Sequence, residues 1–198
     1  MPYVVGVTGG IASGKSTVCK IIESKGYQVI DCDILGHNVL SDHRKGQGYE
    51  KVVQEFGEGI LEGNEISRKK LGELVFGNPE NKKKLEAILH PMIKKKLINK
   101  INKVQDKIVF VEVALLFETD FKDLCDKTIL VYVDLDNQIW RLMKRDNVIF
   151  PEALKKIYMQ MPMADKLELA DYIIDNTNQE YDLEWQVRQI ITSLESIA

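Results

Sequence analysis

Short apolar runs rich in β-branched residues recur along this chain, separated by stretches whose apolar positions repeat with a helical period. Tyr3 to Thr8, Tyr27 to Ile30, Ile108 to Val113, Thr128 to Val133 and Tyr172 to Ile174 read as strands. Val18, Ile21 and Ile22 give Ser16–Lys25 a helical face, and Gly26 is placed to stop that helix. Strand, helix and strand at the start form a βαβ unit, which implies a right-handed crossover and a parallel sheet. From Ile34 to Gln105 the alternation gives way to charged helical segments, with turn signals at Gly46, Gly48, Gly57, Gly59, Gly63-Asn64 and Gly77-Asn78-Pro79. Ser67 begins a helix through Phe76, and another starts near Pro79, with His90-Pro91 expected to break or kink it before Met92 to Val104. Asp136 or Asn137 is expected to cap a helix through Asp146, Pro151 to Met163 reads as helical, and Glu180 to Leu194 closes the chain as an amphipathic helix. The fold class is α/β, a parallel-sheet core interrupted by a helical insertion.

Composition narrows this picture. The chain has 198 residues, 44% hydrophobic and 29% charged, enough for one sizeable core and one or two small appended units. A net charge of -3 argues against a non-specific nucleic-acid or anionic-membrane binder. Cys19, Cys32 and Cys125 have no C-x-x-C spacing, which argues against a disulfide scaffold or zinc knuckle and for a reducing compartment. The start resembles no secretory signal and no run suffices to span a bilayer, so the expectation is cytoplasmic. The sequence does not fix the oligomeric state.

The candidate chemistry begins between the first strand and helix. Gly9-Gly10-Ile11-Ala12-Ser13-Gly14-Lys15-Ser16, followed by Thr17, matches the phosphate-loop pattern in full. Consecutive backbone N–H groups of such a turn curl around an anion beside the unpaired N–H groups of the helix start. Lys15 reaches the β- and γ-phosphates as a point charge, and the Ser16 hydroxyl is a ligand for Mg²⁺. Ligands in parallel sheets sit beyond the carboxyl ends of the strands, where the second strand brings Asp31 and Asp33. Alternation along an extended segment would put both carboxylates on one side. One could take a proton from an attacking hydroxyl, either could help hold Mg²⁺ directly or through water, and Asp33 is the favoured substrate-facing acid. The plainer role for either is to cap the next helix.

Further residues extend the picture unevenly. In the helical insertion Arg68 is a candidate anion clamp, whereas Lys82-Lys83-Lys84 and Lys94-Lys95-Lys96 read as solvated faces and His90 is as readily structural as functional. Glu112 stands where a Walker-B acid would, imperfectly, since Asp is usual and the strand is expected to continue beyond it. Arg141 and Arg145, four apart on one helical face, suit a lid that closes over a triphosphate, with surface ion pairing as the alternative. Asn176 is placed for base or ribose contact, or simply for a turn. A GTPase should show an N-K-x-D element near a late strand, which Asp175-Asn176-Thr177-Asn178 does not match, and an oligomeric ATPase usually needs a longer chain. Transfer of a phosphoryl group from ATP to a small acceptor explains most.

The whole chain also resembles the dephospho-coenzyme A kinase family. The resemblance rests on Val7 to Thr17, Val29 to Asp33, Phe56-Gly57, Arg68 to Phe76, Leu85 to Pro91, Ala114 to Glu118, Gln138 with Arg141 and Arg145, and Ala170 to Asn176, in the family's order. It implies a three-layer phosphate-loop kinase core with a helical substrate-binding insertion and a helical lid. In that reading, residues 1–33, 106–134 and 169–198 make the core, 34–105 the acceptor domain and 135–168 the lid. The implied reaction is ATP- and Mg²⁺-dependent phosphorylation of the ribose 3'-hydroxyl of dephospho-coenzyme A, by direct in-line transfer. By position Asp33, Lys15 and Arg141 carry the catalytic roles, Gly10 to Thr17 with Arg145 and Asn176 hold the nucleotide, and Thr8, Asp33, Arg68, His90 and Leu115 face the acceptor. Ser16 is the expected metal ligand, with Asp31, Asp33 or Glu112 acting through water. Two departures stand out: Ala12 replaces a frequent glycine, which requires a negative φ, and Ala114 replaces a proline, which should loosen the turn. The alternatives are a kinase for a nucleoside or nucleotide-like acceptor and, from another class, a non-catalytic nucleotide-dependent switch.

Overall fold

A computed structural model describes residues 1–41, 46–75, 78–178 and 182–198. Phe76, Gly77 and Glu180, which the sequence reading gives to a helix end, a turn and a helix start, lie outside the described residues. In chain order the elements begin with β1 (Tyr3–Gly9), α1 (Lys15–Ser24), β2 (Val29–Asp31), α2 (Cys32–Ser41) and α3 (Gln47–Phe56). The strands β3 (Leu61–Glu62) and β4 (Glu65–Ile66) precede α4 (Arg68–Val75) and α5 (Pro79–Ile101). The chain continues with β5 (Ile108–Glu112), β6 (Lys127–Tyr132), α6 (Leu135–Asp146), α7 (Phe150–Tyr158) and α8 (Met163–Leu169), and closes with β7 (Tyr172–Asp175) and α9 (Leu183–Glu195).

It divides into two units, Met1–Asp31 with Ile101–Ala198, and Cys32–Lys100. The first holds a five-stranded sheet in the order β2-β5-β1-β6-β7, parallel throughout. The central β1 buries Val4, Val5, Val7 and Thr8, hence its continuous apolar run rather than an alternating one. On one face Val18, Cys19 and Ile22 of α1 and Val187, Ile190, Ile191 and Leu194 of α9 pack against Val5, Val7, Phe110, Ile129, Val131 and Ile174. Because every strand runs the same way, the loop after Gly9, Asp31, Glu112, Tyr132 and Asp175 all lie at carboxyl ends. No helix among the described residues is long and apolar enough to cross a membrane.

The second unit is helical except for the antiparallel pair β3–β4, turned at Gly63, where φ is 63°. Val52, Ile60 and Leu71 form its core, with Phe56, Leu85, Ile88 and Leu89 packed around them. Several expectations change here. Helix α5 runs through Pro91 over 23 residues rather than breaking at it. Proline costs the bond to the carbonyl four residues back, but packing on either side, by Leu85 to Leu89 before it and by Ile93 against Gly36 and the buried Leu97 after it, carries the helix across. Gly48 sits inside α3 instead of at a turn, because a Cβ there would stand 2.3 Å from Val39 Cγ1 of α2. In the first unit, the helix expected over Pro151 to Met163 is split into α7 and α8 by the residues leading to Pro162.

Candidate functional site

The loop between β1 and α1 is built by close approach. At Gly14 φ is 89°, and a Cβ would lie 2.1 Å from Asn176 Nδ2, so both backbone conformation and space demand glycine. At Gly10 a Cβ would stand 2.5 Å from Gln138 Nε2. Ala12 contradicts its sequence expectation: its φ is 60°, in the left-handed region, not negative. A residue with a Cβ holds that conformation only under constraint from its surroundings. The Ser13 hydroxyl is buried in the loop and makes no hydrogen bond within the described residues. Thr17 lies on the exposed side of the first turn of α1, its N–H bonded to the Gly14 carbonyl at 2.9 Å.

Lys15 and Ser16, the first residues of α1, converge on Glu112. Lys15 Nζ pairs with Glu112 Oε1, and Ser16 Oγ donates to the same oxygen at 3.2 Å. Strand β5 ends at Glu112, not beyond it, which removes one of the two reasons for doubting it as the strand-end acid. Burial pushes the Glu112 carboxyl up, but the Lys15 ammonium and hydrogen bonds from Cys19 and Ser16 outweigh it and hold it below its ordinary value. The same burial, with Glu112 beside it, pushes the Cys19 thiol far up, so Cys19 serves as a neutral donor.

The two aspartates are arranged differently from expectation. Asp31 ends β2, pairing in register with Glu112, while Cys32 already begins α2 and Asp33 stands exposed in its first turn. Side chains along a helix turn by about 100° per residue, so strand alternation does not relate the two carboxylates. Thr8 is fully buried and donates to the Ala114 carbonyl at 3.3 Å, a contact across the turn that the proline replacement was expected to loosen. Leu115 is half-buried in that turn, its carbonyl accepting from Thr119 Oγ1 at 2.8 Å.

On α6 the N-cap is Asp134, whose carboxylate accepts from Asn137 N–H at 2.8 Å, not Asp136 or Asn137. That cap holds the Asp134 carboxyl below its usual range. Arg141 reaches from α6 to the end of β7, donating to the carbonyls of Asn176 at 2.8 Å and Thr177 at 3.2 Å. Arg145 follows the plainer alternative and pairs with Asp146 at 2.8 Å on the surface. The Asn176 side chain turns to the loop itself, its Nδ2 donating to the Ser13 carbonyl at 2.7 Å, not out to an open pocket. In the second unit Arg68 is the exposed first residue of α4, and His90 lies half-buried in α5, one residue before Pro91. Of the lysine runs, Lys84 pairs with Glu55 at 2.8 Å and Lys82 with Glu86 at 3.7 Å, as solvated faces do.

Two glutamines that sequence reasoning left without a role close on the loop. Gln138 Nε2 donates to the Ile11 carbonyl at 2.8 Å, and Gln160 Oε1 accepts from the Ile11 N–H at 2.7 Å. The Ile11 N–H is therefore engaged, although the sequence reading placed Ile11 among the nucleotide-binding residues. A periodic signal existed for Gln138, a polar residue on the buried face of α6 with Ile139 and Leu142. None existed for Gln160, which lies between α7 and α8. Its neighbour Met161 donates from N–H to Glu118 Oε1 at 3.1 Å, and the fully buried Lys166 pairs with the same oxygen at 2.8 Å.

A parallel sheet in this strand order, with a glycine loop, a lysine and a hydroxyl at the carboxyl end of its central strand, defines a phosphate-loop nucleotide-binding protein. The profile of the family described as dephospho-CoA kinase matches residues 3–182. The chain belongs to that family. It is 37% identical to the dephospho-CoA kinase of Bacillus licheniformis over 201 aligned positions, covering 100% of this chain and 99% of that protein. A Thermus thermophilus crystal structure superposes with a TM-score of 0.83 at 32% identity, covering 100% and 98% of the two chains. The dephospho-CoA kinase of Campylobacter jejuni follows at TM-score 0.73 and 33% identity, covering 99% and 98%.

Proposed function

We propose that the chain moves the γ-phosphoryl group of ATP to the ribose 3'-hydroxyl of dephospho-coenzyme A in one in-line step, giving coenzyme A and ADP. The observation that carries this reading is the intact phosphate loop, with Lys15 and Ser16 converging on Glu112, inside a chain matched to the family over residues 3–182. Lys15 leaves Glu112 to meet the β- and γ-phosphates, and the N–H groups of Lys15 and Ser16, the first two residues of α1, face the same anion. Asp33 accepts the proton as the ribose oxygen bonds to the γ-phosphorus and the bond to the ADP oxygen breaks, with no phospho-enzyme intermediate. Arg141 and Arg145, from a lid spanning 135–168, meet charge on the transferring group once they exchange their present partners for it. The acceptor-side roles fall to Arg68 and His90 within the insertion 34–105, and to Thr8 and Leu115 within the core.

The residues also suit Mg²⁺. Among the described residues no group of three or more His, Cys, Asp or Glu side chains forms a metal cage, and Ser16 Oγ stands beside one carboxylate, Glu112. Such a sparse protein contribution fits an ion that keeps its waters and takes phosphate oxygens. Ser16 would hold it, with Glu112, Asp31 or Asp33 through water, and when bound it neutralises charge across the β- and γ-phosphates. The three free cysteines fit a reducing cytoplasm.

An acceptor panel with ATP and coupled ADP release tests the reading. Turnover with dephospho-coenzyme A, and not with nucleosides or nucleoside monophosphates, is expected; equal or greater turnover with a nucleoside would overturn it.

A further inference from the structure

Ala12 is held in the left-handed region by an unusual amount of surrounding structure. Its preceding peptide has the Ile11 carbonyl fixed by Gln138 Nε2 at 2.8 Å, and the peptide before that has the Ile11 N–H fixed by Gln160 Oε1 at 2.7 Å. Beyond Ala12, the Ser13 carbonyl is fixed by Asn176 Nδ2 at 2.7 Å, and the Ser13 N–H closes a turn on the Gly10 carbonyl at 3.1 Å. Three side-chain amides, from α6, from the α7–α8 connection and from the end of β7, thus grip the peptides around one residue whose φ is 60°. Left alone, an alanine would leave that region, which costs roughly 1–2 kcal/mol.

The direction of the grip matters more than its strength. In a trans peptide the C=O and N–H point opposite ways. Drawing the Ile11 carbonyl to Gln138 turns the Ala12 N–H away from α6, and drawing the Ser13 carbonyl to Asn176 turns the Gly14 N–H away from β7. The Ile11 N–H, taken by Gln160, is withdrawn from any anion. We propose that Gln138 and Gln160, with Asn176, are the positioning residues of the phosphate loop. They keep Ala12 left-handed, so the Ala12 and Gly14 amides, and not that of Ile11, are presented to the nucleotide phosphates. Gln160 also ties the loop to α7 and α8, since its neighbour Met161 is moored through Glu118 to the buried Lys166. Part of the lid-side chain therefore sets the shape of the loop before any ligand arrives.

The inference rests on the loop binding ATP, and its test reads that binding without the acceptor. ATP affinity is measured by calorimetry, and KM and kcat by ADP release, for Gln138→Met and Gln160→Met in both the native and the Ala12→Gly background. Methionine keeps the length and bulk of glutamine while removing its amide. In the native background each change is expected to weaken ATP about tenfold, as loss of one hydrogen bond to a loop peptide does, with the effect in KM more than in kcat. With glycine at position 12 the left-handed conformation needs no support, and the same changes should weaken ATP by no more than about threefold. A merely structural role would give the same loss in both backgrounds. Equal losses, or no loss in either, would overturn the proposal. Should Gln138→Met fail to fold, the half-buried Gln160→Met carries the same comparison. Native protein that binds ATP but does not phosphorylate dephospho-coenzyme A would overturn the functional reading and leave this one standing.

Discussion

Lys15 and Glu112 form an ion pair within the first unit, linking the first residue of α1 to the last residue of β5, with side-chain exposures of 12% and 9%. The lysine that a phosphate loop offers to nucleotide is therefore already neutralised, and Glu112 is a competitor for it as well as a candidate acid for the metal's waters. An incoming triphosphate must displace a desolvated carboxylate whose ionised form is stabilised by that contact. Glu112→Gln should relax the competition and strengthen ATP binding several-fold in the absence of Mg²⁺. With Mg²⁺ present, the proposed role of Glu112 in holding the metal's waters predicts that kcat falls by about 10–100-fold. Calorimetry with and without the metal, beside steady-state rates, checks both signs. Weaker metal-free binding would show that Glu112 supports the loop instead of competing for Lys15.

Asp33 makes a separable prediction. The proposed role, proton acceptor for the ribose hydroxyl, belongs to the chemical step, so on that proposal Asp33→Asn should lower kcat by about 10²–10⁴ and change the affinity for ATP little. Steady-state kinetics at saturating dephospho-coenzyme A, with ATP binding measured separately, distinguishes this from a purely local role of an acid in the first turn of α2. That role would appear as a stability loss of about 0.3–1 kcal/mol with kcat intact.

What the sequence made legible follows the range of the interactions. The five strands of the main sheet and the loop after β1 were readable because a β-rich run or an eight-residue motif is local. The pair β3–β4 left no period to read, two residues each, although its Gly63-Asn64 turn was marked. Of the break or kink expected at Pro91 the break does not occur, because the packing of Leu89 and Leu97 on either side is tertiary. Ala12 was misjudged because its conformation is imposed by Gln138, Gln160 and Asn176, which lie 127, 149 and 163 residues from their partners in the loop. The Lys15–Glu112 pair spans 97 residues, so the motif announced the lysine without its partner.

Three opposing effects meet at Ala12. Replacing it by glycine relieves roughly 1–2 kcal/mol of left-handed strain, adds roughly 0.4–1 kcal/mol of unfolded-state entropy, and removes a half-buried methyl worth about 0.5 kcal/mol. That methyl packs on the cluster of Ile139, Leu142 and Ala153. Ala12→Gly should therefore be close to neutral, within about 0.5 kcal/mol. Ala153→Gly, in the interior of α7 and fully buried, should cost about 1 kcal/mol or more. Ala12→Val, a β-branched residue forced to positive φ, should be more damaging than either. Urea unfolding of the three variants checks the order, and a large loss in Ala12→Gly would mean that the strain is not borne by this residue.

Asp146 ties the end of α6 to α7 in a pH-dependent way. Its carboxylate accepts from Arg145 Nε at 2.8 Å and Lys156 Nζ at 2.7 Å, and these partners bring its pKa from 3.8 down to about 2. A carboxylate with a depressed folded-state pKa contributes stability above its unfolded value, and that contribution is lost as pH falls through the folded one. The window here runs from near pH 4 down to about pH 2. Arg145 is 56% exposed and Lys156 27%, so solvent screening limits the contribution to about 1 kcal/mol or less. Asp146→Asn should thus be less stable than the native chain at pH 7 by up to that amount, with the gap closing as pH approaches 2. Raising salt at pH 7 should narrow it too, because both partners sit near the surface. Denaturant unfolding of the two proteins across that pH range provides the measurement. A gap that persists undiminished at the acid end would assign the loss to the side chain's shape and hydrogen bonds instead of its charge.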